Sequence, residues 1–133
     1  MKMDRRKFLV GFSLLAGTAP LASIGQSNME QSKDLNMFGL INKIIAAEGQ
    51  RDALITILLA GTQNMPGCIS YVISKDSIDA NLIWVHEVWQ NKSDHEASLK
   101  LPVVQAAIAE GRPMIAGMEP VASVVPIGGH GLG

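Results

Sequence analysis

The sequence has 133 residues, which is enough for one domain and too few for two ordinary ones. Its composition, with 47% apolar and 17% charged residues, can build a core and excludes a disordered protein. The first 25 residues hold four of the 11 basic and one of the 12 acidic residues, so the remainder carries a net charge of about −4 with neutral histidines. Such a mildly acidic domain gives no electrostatic reason to expect nucleic acid as a partner.

Residues 1–25 have the features of an export signal. A basic start, Met1–Lys7, precedes the apolar run Phe8–Leu21, and Ser23-Ile24-Gly25 offers the small residues that a signal peptidase reads. The segment Asp4-Arg5-Arg6-Lys7-Phe8-Leu9 closely resembles the twin-arginine consensus. The apolar run is short for a membrane span of about 20 residues, which favours a signal over an uncleaved anchor. We therefore expect a periplasmic or secreted protein that meets the membrane only through this signal.

The remaining chain predicts a linker, four strands and two helical regions. Residues at spacings of three and four from Ala53 to Gly61 form an apolar helix face, and alternating branched residues indicate strands. Ser93 and Glu96 have the spacing of a capping box, and Pro102 fits the start of a new helical segment better than a helix interior. The predicted elements are a linker over 26–36, a strand over Met37–Ile45, a helix starting at Glu48–Asp52, strands over Cys68–Ser74 and Leu82–Trp89, a helix from Ser93, a helical segment over Val103–Glu110, a strand over Glu119–Ile127 and a mobile tail over 128–133.

This order is β-α-β-β-α-β, the split arrangement of a ferredoxin-like α+β domain over residues 37–127. Both helices then lie on one face of a four-stranded antiparallel sheet. The third strand nevertheless carries large apolar residues at both parities, Trp84 on one side and Trp89 on the other. An exposed apolar sheet face favours association, so we predict a homodimer packed sheet to sheet.

Three stretches resemble the antibiotic biosynthesis monooxygenase family, which includes quinol monooxygenases. They are Ala47-Glu48-Gly49-Gln50, then Met65-Pro66-Gly67-Cys68-Ile69-Ser70-Tyr71, and then Glu87-Val88-Trp89 running on to Ala97-Ser98-Leu99 and Pro102. The resemblance implies a dimeric α+β barrel with a pocket between the sheet and the helices. It also implies oxygenation of a quinol or another small aromatic substrate without a cofactor, which requires a base, a polar group that holds the anion and a dry cavity.

The histidines that the family carries after the third strand are replaced here by Ser98 and Val103, and a serine cannot serve as a general base near neutral pH. His86 on the third strand is one candidate for the base, although a structural role is slightly favoured for a lone histidine. His95 is another candidate because it lies three residues before Ser98 on the same helix face. Its place in the first turn is more typical of an exposed histidine.

Asn42 is the third catalytic candidate. In haem-degrading relatives an asparagine precedes a basic residue on the first strand, as Asn42-Lys43 does here. The axial histidine of those relatives corresponds to Ile108, so haem degradation is not expected. Trp84, Tyr71 and Ser98 are the predicted substrate contacts, through stacking or hydrogen bonding.

No cofactor or metal is expected from the residues. Cys68 stands alone, and no His, Cys or Asp cluster has metal-ligand spacing. The loss of the family histidines leaves a second hypothesis open, in which the protein is a non-catalytic binding or stress-related domain of the same fold.

Overall fold

The computed structural model describes residues 36–132. The predicted export signal and nearly all of the predicted linker therefore lie outside the described residues. The described elements are β1 (Phe38–Ala46), α1 (Arg51–Gly61), β2 (Cys68–Lys75), β3 (Leu82–Trp89), α2 (Lys92–Ser98), α3 (Pro102–Gly111), a 3₁₀ turn (Arg112–Met114) and β4 (Ile115–Val124). None of the helices in this part of the chain has the length and apolar character needed to cross a bilayer.

The four strands form one antiparallel sheet in the order β2-β3-β1-β4. Strands β1 and β3 lie at its centre and pair from Phe38 opposite Trp89 to Ile45 opposite Leu82. This topology is the ferredoxin-like α+β fold that the order of elements predicts. The prediction of fold class is confirmed.

The helices cover one face of the sheet, and alternation along the strands decides which side chains lie beneath them. Ile83, Val85 and Trp89 of β3 are at most 2% exposed, and they pack with Leu54 of α1 and Val104 of α3 in two adjoining clusters. Full burial of each such side chain contributes about 1.5–3 kcal/mol relative to an exposed one. The hydrophobic core therefore lies between this sheet face, called the inner face below, and the helices.

Two predicted boundaries are wrong. Helix α2 is capped by Asn91, whose side-chain oxygen accepts a hydrogen bond from the Asp94 backbone N–H at 2.8 Å, and not by Ser93. Asn91 has the extended backbone that an N-cap requires, φ −159°, whereas Ser93 is already helical.

Strand β4 begins at Ile115, four residues before the predicted start, and ends at Val124 instead of Ile127. Its ends are set by its partner, because Ile115 pairs with Ala46 at one end of β1 and Val124 pairs with Gly39 at the other. The predicted break at Pro102 is confirmed, since this residue occupies the first turn of α3.

Candidate functional site

A buried carboxyl group, that of Glu87, lies on the inner face of the sheet. It shares its side of β3 with Ile83, Val85 and Trp89 and is only 7% exposed. A carboxylate is rarely buried this far without partners, because burial removes the water that stabilises its charge. Its surroundings therefore define the first candidate site of the molecule.

Two donors hold the Glu87 carboxyl group. The Asn42 side-chain amide donates to Oε2 at 3.3 Å from β1, and the Trp89 indole N–H donates to Oε1 at 3.4 Å from β3 itself. Burial raises the pKa of Glu87 from 4.5 to about 7, and the hydrogen bond from Trp89 opposes that rise. Glu87 therefore exchanges a proton close to neutral pH, the property required of a general acid or base.

Tyr71 stands opposite Glu87 on the neighbouring strand β2, and adjacent inner-face residues of paired strands lie within contact distance. Burial and the charge of Glu87 both raise the pKa of the Tyr71 phenol far above its ordinary value. The phenol therefore stays protonated and can donate a hydrogen bond. Burial, followed by the charge of Glu87, also raises the pKa of the Cys68 thiol beside it, which disfavours a reactive thiolate.

His95 is buried at 5% exposure, so the exposed position favoured by its place in the first turn of α2 is wrong. Its ring lies between two aromatic rings, with centroids 5.4 Å from Phe38 and 5.5 Å from Trp89. Burial, with a smaller contribution from Lys92, lowers the pKa of His95 to about 4, which keeps the imidazole neutral. The Ser98 hydroxyl is also buried, and it donates to the backbone oxygen of His95 at 2.6 Å.

His86 and Trp84 lie on the other face of the sheet, called the outer face below. His86 is exposed and pairs in register with Ile41 and Val72. The Trp84 indole N–H donates to the Asp76 carboxylate at 2.9 Å, and the Lys43 ammonium lies 4.9 Å from its ring centroid. Alternation thus separates His86 and Trp84 from the group around Glu87.

Of the six residues predicted to form the site, the structure brings Asn42 and Tyr71 to Glu87. It places His95 beside Trp89 behind that carboxyl group and uses the Ser98 hydroxyl within α2. The sheet stands between His86 and this group, so a shared pocket for Asn42 and His86 within one subunit is not formed.

Glu87 itself is absent from the residues predicted from the sequence. Its signal was present, because Glu87 has the parity of Ile83, Val85 and Trp89, and a lone carboxylate on the buried side of a strand is unusual.

An open cleft of about 250 Å³ lies between the C-terminal end of α1 and the start of β2. Tyr71 and Cys68 form the part of its wall that adjoins Glu87. The cleft is open to solvent, unlike the enclosed hollow expected from the resemblance. Its lining residues are Leu59, Thr62, Gln63, Met65, Cys68, Ile69, Ser70 and Tyr71.

Residues 36–132 contain no group of three His, Cys, Asp or Glu side chains that could hold a metal ion. The chemistry available to this site is the transfer of a proton at Glu87. Asn42 and Trp89 hold the two carboxyl oxygens, and the Tyr71 phenol is a neighbouring hydrogen-bond donor.

Comparison with known proteins agrees with the fold. The family model for antibiotic biosynthesis monooxygenase matches residues 37–110. A crystal structure from Chloroflexus aurantiacus, named as a candidate antibiotic biosynthesis monooxygenase, is 55% identical, with a TM-score of 0.70 over 73% of this chain and 99% of that one. No curated protein matches the chain.

Two more distant structures show the same fold and carry the same candidate name. The one from Caulobacter crescentus is 18% identical, with a TM-score of 0.64 over 76% of this chain and 99% of its own. The one from Nitrosomonas europaea is 14% identical, with a TM-score of 0.62 over 73% and 94%. The family model covers more than half of the chain, and the Chloroflexus structure is similar over its whole length. The chain therefore belongs to the antibiotic biosynthesis monooxygenase family.

Proposed function

We propose that the protein is a monooxygenase that acts without a cofactor on a quinol or another electron-rich aromatic, with Glu87 as its general base. The observation that carries this proposal is the Glu87 carboxyl group, which Asn42 and Trp89 hold in place and whose pKa burial raises to about 7. A base works best when its pKa lies near the working pH, because it is then both available and strong enough.

In this proposal, ionised Glu87 takes the proton of a substrate hydroxyl group. The resulting anion raises the electron density of the ring, which is the prerequisite for its reaction with O₂. Asn42 keeps the carboxyl group oriented, and the protonated Tyr71 phenol donates a hydrogen bond to the substrate oxygen as its charge develops.

For a hydroquinone the reaction balances with O₂ as the only other reactant. One oxygen atom is retained on a ring carbon as a hydroxyl group, and the other leaves as water. The ring loses four electrons, two in the step from hydroquinone to quinone and two in the conversion of C–H to C–OH, and O₂ gains them. Glu87 returns its proton to the departing water and is regenerated.

Oxygen uptake with a panel of hydroquinones tests the proposal. Glu87→Gln keeps the shape of the side chain and removes the base, so kcat is expected to fall by about 10²–10⁴-fold. Glu96→Gln on the exposed side of α2 is the matched control and is expected to retain activity. Equal uptake by the wild type and Glu87→Gln would refute the role of Glu87.

One observation favours the second hypothesis, ligand binding without turnover. On α2 the position of the family histidine is occupied by Ser98, whose hydroxyl donates to the His95 backbone oxygen. The nearby His95 ring is packed between Phe38 and Trp89. Saturable binding of a hydroquinone under air without oxygen uptake would support this alternative over the monooxygenase.

A further inference from the structure

The open cleft beside Tyr71 is slightly smaller than a usual small-molecule site. Its volume is about 250 Å³. Small-molecule pockets usually run from about 300 to 1,000 Å³, so this cleft suits a single ring better than a fused aromatic system. Leu59, Met65 and Ile69 supply its apolar surface.

Among the described residues 36–132, no charged side chain lines the cleft. Two of its polar side chains already donate a hydrogen bond to α1, since the Thr62 hydroxyl donates to the Leu58 carbonyl at 2.7 Å and the Gln63 amide donates to the Leu59 carbonyl at 2.6 Å. Their oxygen atoms remain as acceptors. The wall therefore suits a ligand that donates hydrogen bonds, such as an aromatic hydroxyl group.

Two lining residues of the cleft, Tyr71 and Cys68, adjoin Glu87. Tyr71 lines the cleft and stands opposite Glu87 in the sheet, and Cys68 lines it while the Glu87 charge contributes to raising its pKa. Within residues 36–132 no acceptor takes a hydrogen bond from the Tyr71 hydroxyl, which leaves this donor for a ligand. A ring in the cleft would thus place one hydroxyl group at Tyr71, next to the carboxyl group that takes its proton.

We propose that this cleft is the ring-binding subsite and that it selects neutral, one-ring dihydroxy aromatics over carboxylated or phosphorylated ones. This inference rests on the proposed monooxygenase function and names its substrate class. An anionic substituent would lose part of its water against a wall to which residues 36–132 contribute no cation, and it would lie near the charge of Glu87. Carboxylated and phosphorylated aromatics are therefore excluded by the lack of a cation in the described wall as much as by the small size of the cleft.

The first test compares hydroquinone with 2,5-dihydroxybenzoate, which adds one carboxylate to the same ring. Hydroquinone is expected to have the lower KM with the wild type. Gln63→Lys adds a cation to the cleft and is expected to lower the KM of the carboxylate substrate by up to about fivefold at low salt, the size of an exposed ion pair. Asn64→Lys is the matched control, because Asn64 is exposed and does not line the cleft, and it should leave both constants unchanged.

The second test fills the cleft. Leu59 is 47% exposed, so Leu59→Trp adds bulk to the wall with little cost to folding, and it is expected to raise the KM for hydroquinone by at least about tenfold while changing kcat little. Ala60→Trp places the same side chain one residue further along α1, outside the cleft, and should behave like the wild type.

A binding measurement under anaerobic conditions separates the two proposals. Hydroquinone should shift the NMR signals of Thr62, Cys68 and Tyr71 in the wild type, and Leu59→Trp should weaken this binding whether or not turnover occurs. Binding at these residues without oxygen uptake would support the subsite and contradict the monooxygenase. Uptake that depends on Glu87 but is insensitive to Leu59→Trp and Gln63→Lys would support the monooxygenase and overturn the subsite.

Discussion

At the residue scale, two buried ionisable groups face each other across Trp89. The Trp89 indole N–H donates to Glu87, and its ring lies 5.5 Å from the ring of His95. Burial favours the neutral form of both groups, which raises the pKa of Glu87 to about 7 and lowers that of His95 to about 4. Their effects on stability therefore have opposite signs over the same pH range.

Glu87 is expected to make the fold less stable as the pH rises. Between pH 4.5 and about 7 the folded protein keeps a proton on Glu87 that the unfolded chain has released, so the contribution of this group is present below pH 4.5 and lost as the pH rises through 7. Glu87→Gln removes this dependence. From pH 4 to pH 8 the unfolding free energy of the wild type should fall by roughly 3 kcal/mol relative to that of the variant, measured by urea unfolding. If the unfolding free energies of the two proteins changed with pH in the same way, the raised pKa of Glu87 would be contradicted.

His95 is expected to act in the other direction. Below pH 6.5 the unfolded chain takes up a proton that the folded protein refuses until about pH 4, so the contribution of His95 is present above pH 6.5 and lost as the pH falls. His95→Phe keeps a ring between Phe38 and Trp89 and cannot protonate. It should abolish up to roughly 3 kcal/mol of the destabilisation between pH 6.5 and pH 4. His130→Phe, at an exposed position after β4, is the control, and an equal effect there would argue against the buried site.

At the element scale, α1 and α3 cross at a glycine. A Cβ atom built on Gly61 would clash with the Cβ of Ala107 on α3. Gly61 has no positive φ, so its role is steric and not conformational. The close approach of the two helices over the inner face depends on this missing side chain.

Gly61→Ala is therefore expected to destabilise the protein by about 1–3 kcal/mol, as overpacking does, although alanine is the better helix former by about 0.5–1 kcal/mol. The double variant Gly61→Ala with Ala107→Gly removes the clash and should recover most of the loss. Chemical unfolding of the two single variants and the double variant measures the coupling. Additive effects would show that the two helices can separate without cost.

At the scale of the whole molecule, the outer face carries many apolar side chains. Val72 and Val124 are 49% and 39% exposed, and one side of β1 and β3 adds further apolar side chains. An apolar face that no element within residues 36–132 covers favours association, and we propose a homodimer packed through it. The apolar residues of β1, β2 and β3 on this face are Ile41, Ile45, Val72, Leu82, Trp84 and Val88.

Light scattering should give the mass of two protomers, and Val72→Glu should reduce it to one, because a carboxylate would be buried without a partner in the interface. Val103→Glu is the matched control, since Val103 on α3 has the same 49% exposure on the helical side and should leave the dimer intact. Dissociation by both variants, or a wild-type mass of one protomer, would contradict the proposed interface.

The sequence predicted the elements of this fold well where the signal is local. The bounds of β3 agree to the residue, and Pro102 marks the start of α3. The prediction failed for β4, because the ends of this strand are set by its pairing with β1. The composition of β4 itself does not show where that pairing begins and ends. It also failed at the Asn91 cap, because several residues that can cap a helix occur within three positions.

For the site, the sequence by itself determined the family resemblance, the fold class and the presence of Asn42 and Tyr71 among the candidates. It also fixed the side of β3 on which each residue lies, since alternation is a local property. Only the tertiary structure decided which side the helices cover. That choice buries Glu87 against Asn42 and Trp89 and leaves His86 in solvent, because the pKa of a side chain depends on the water and the partners that the rest of the fold removes or supplies.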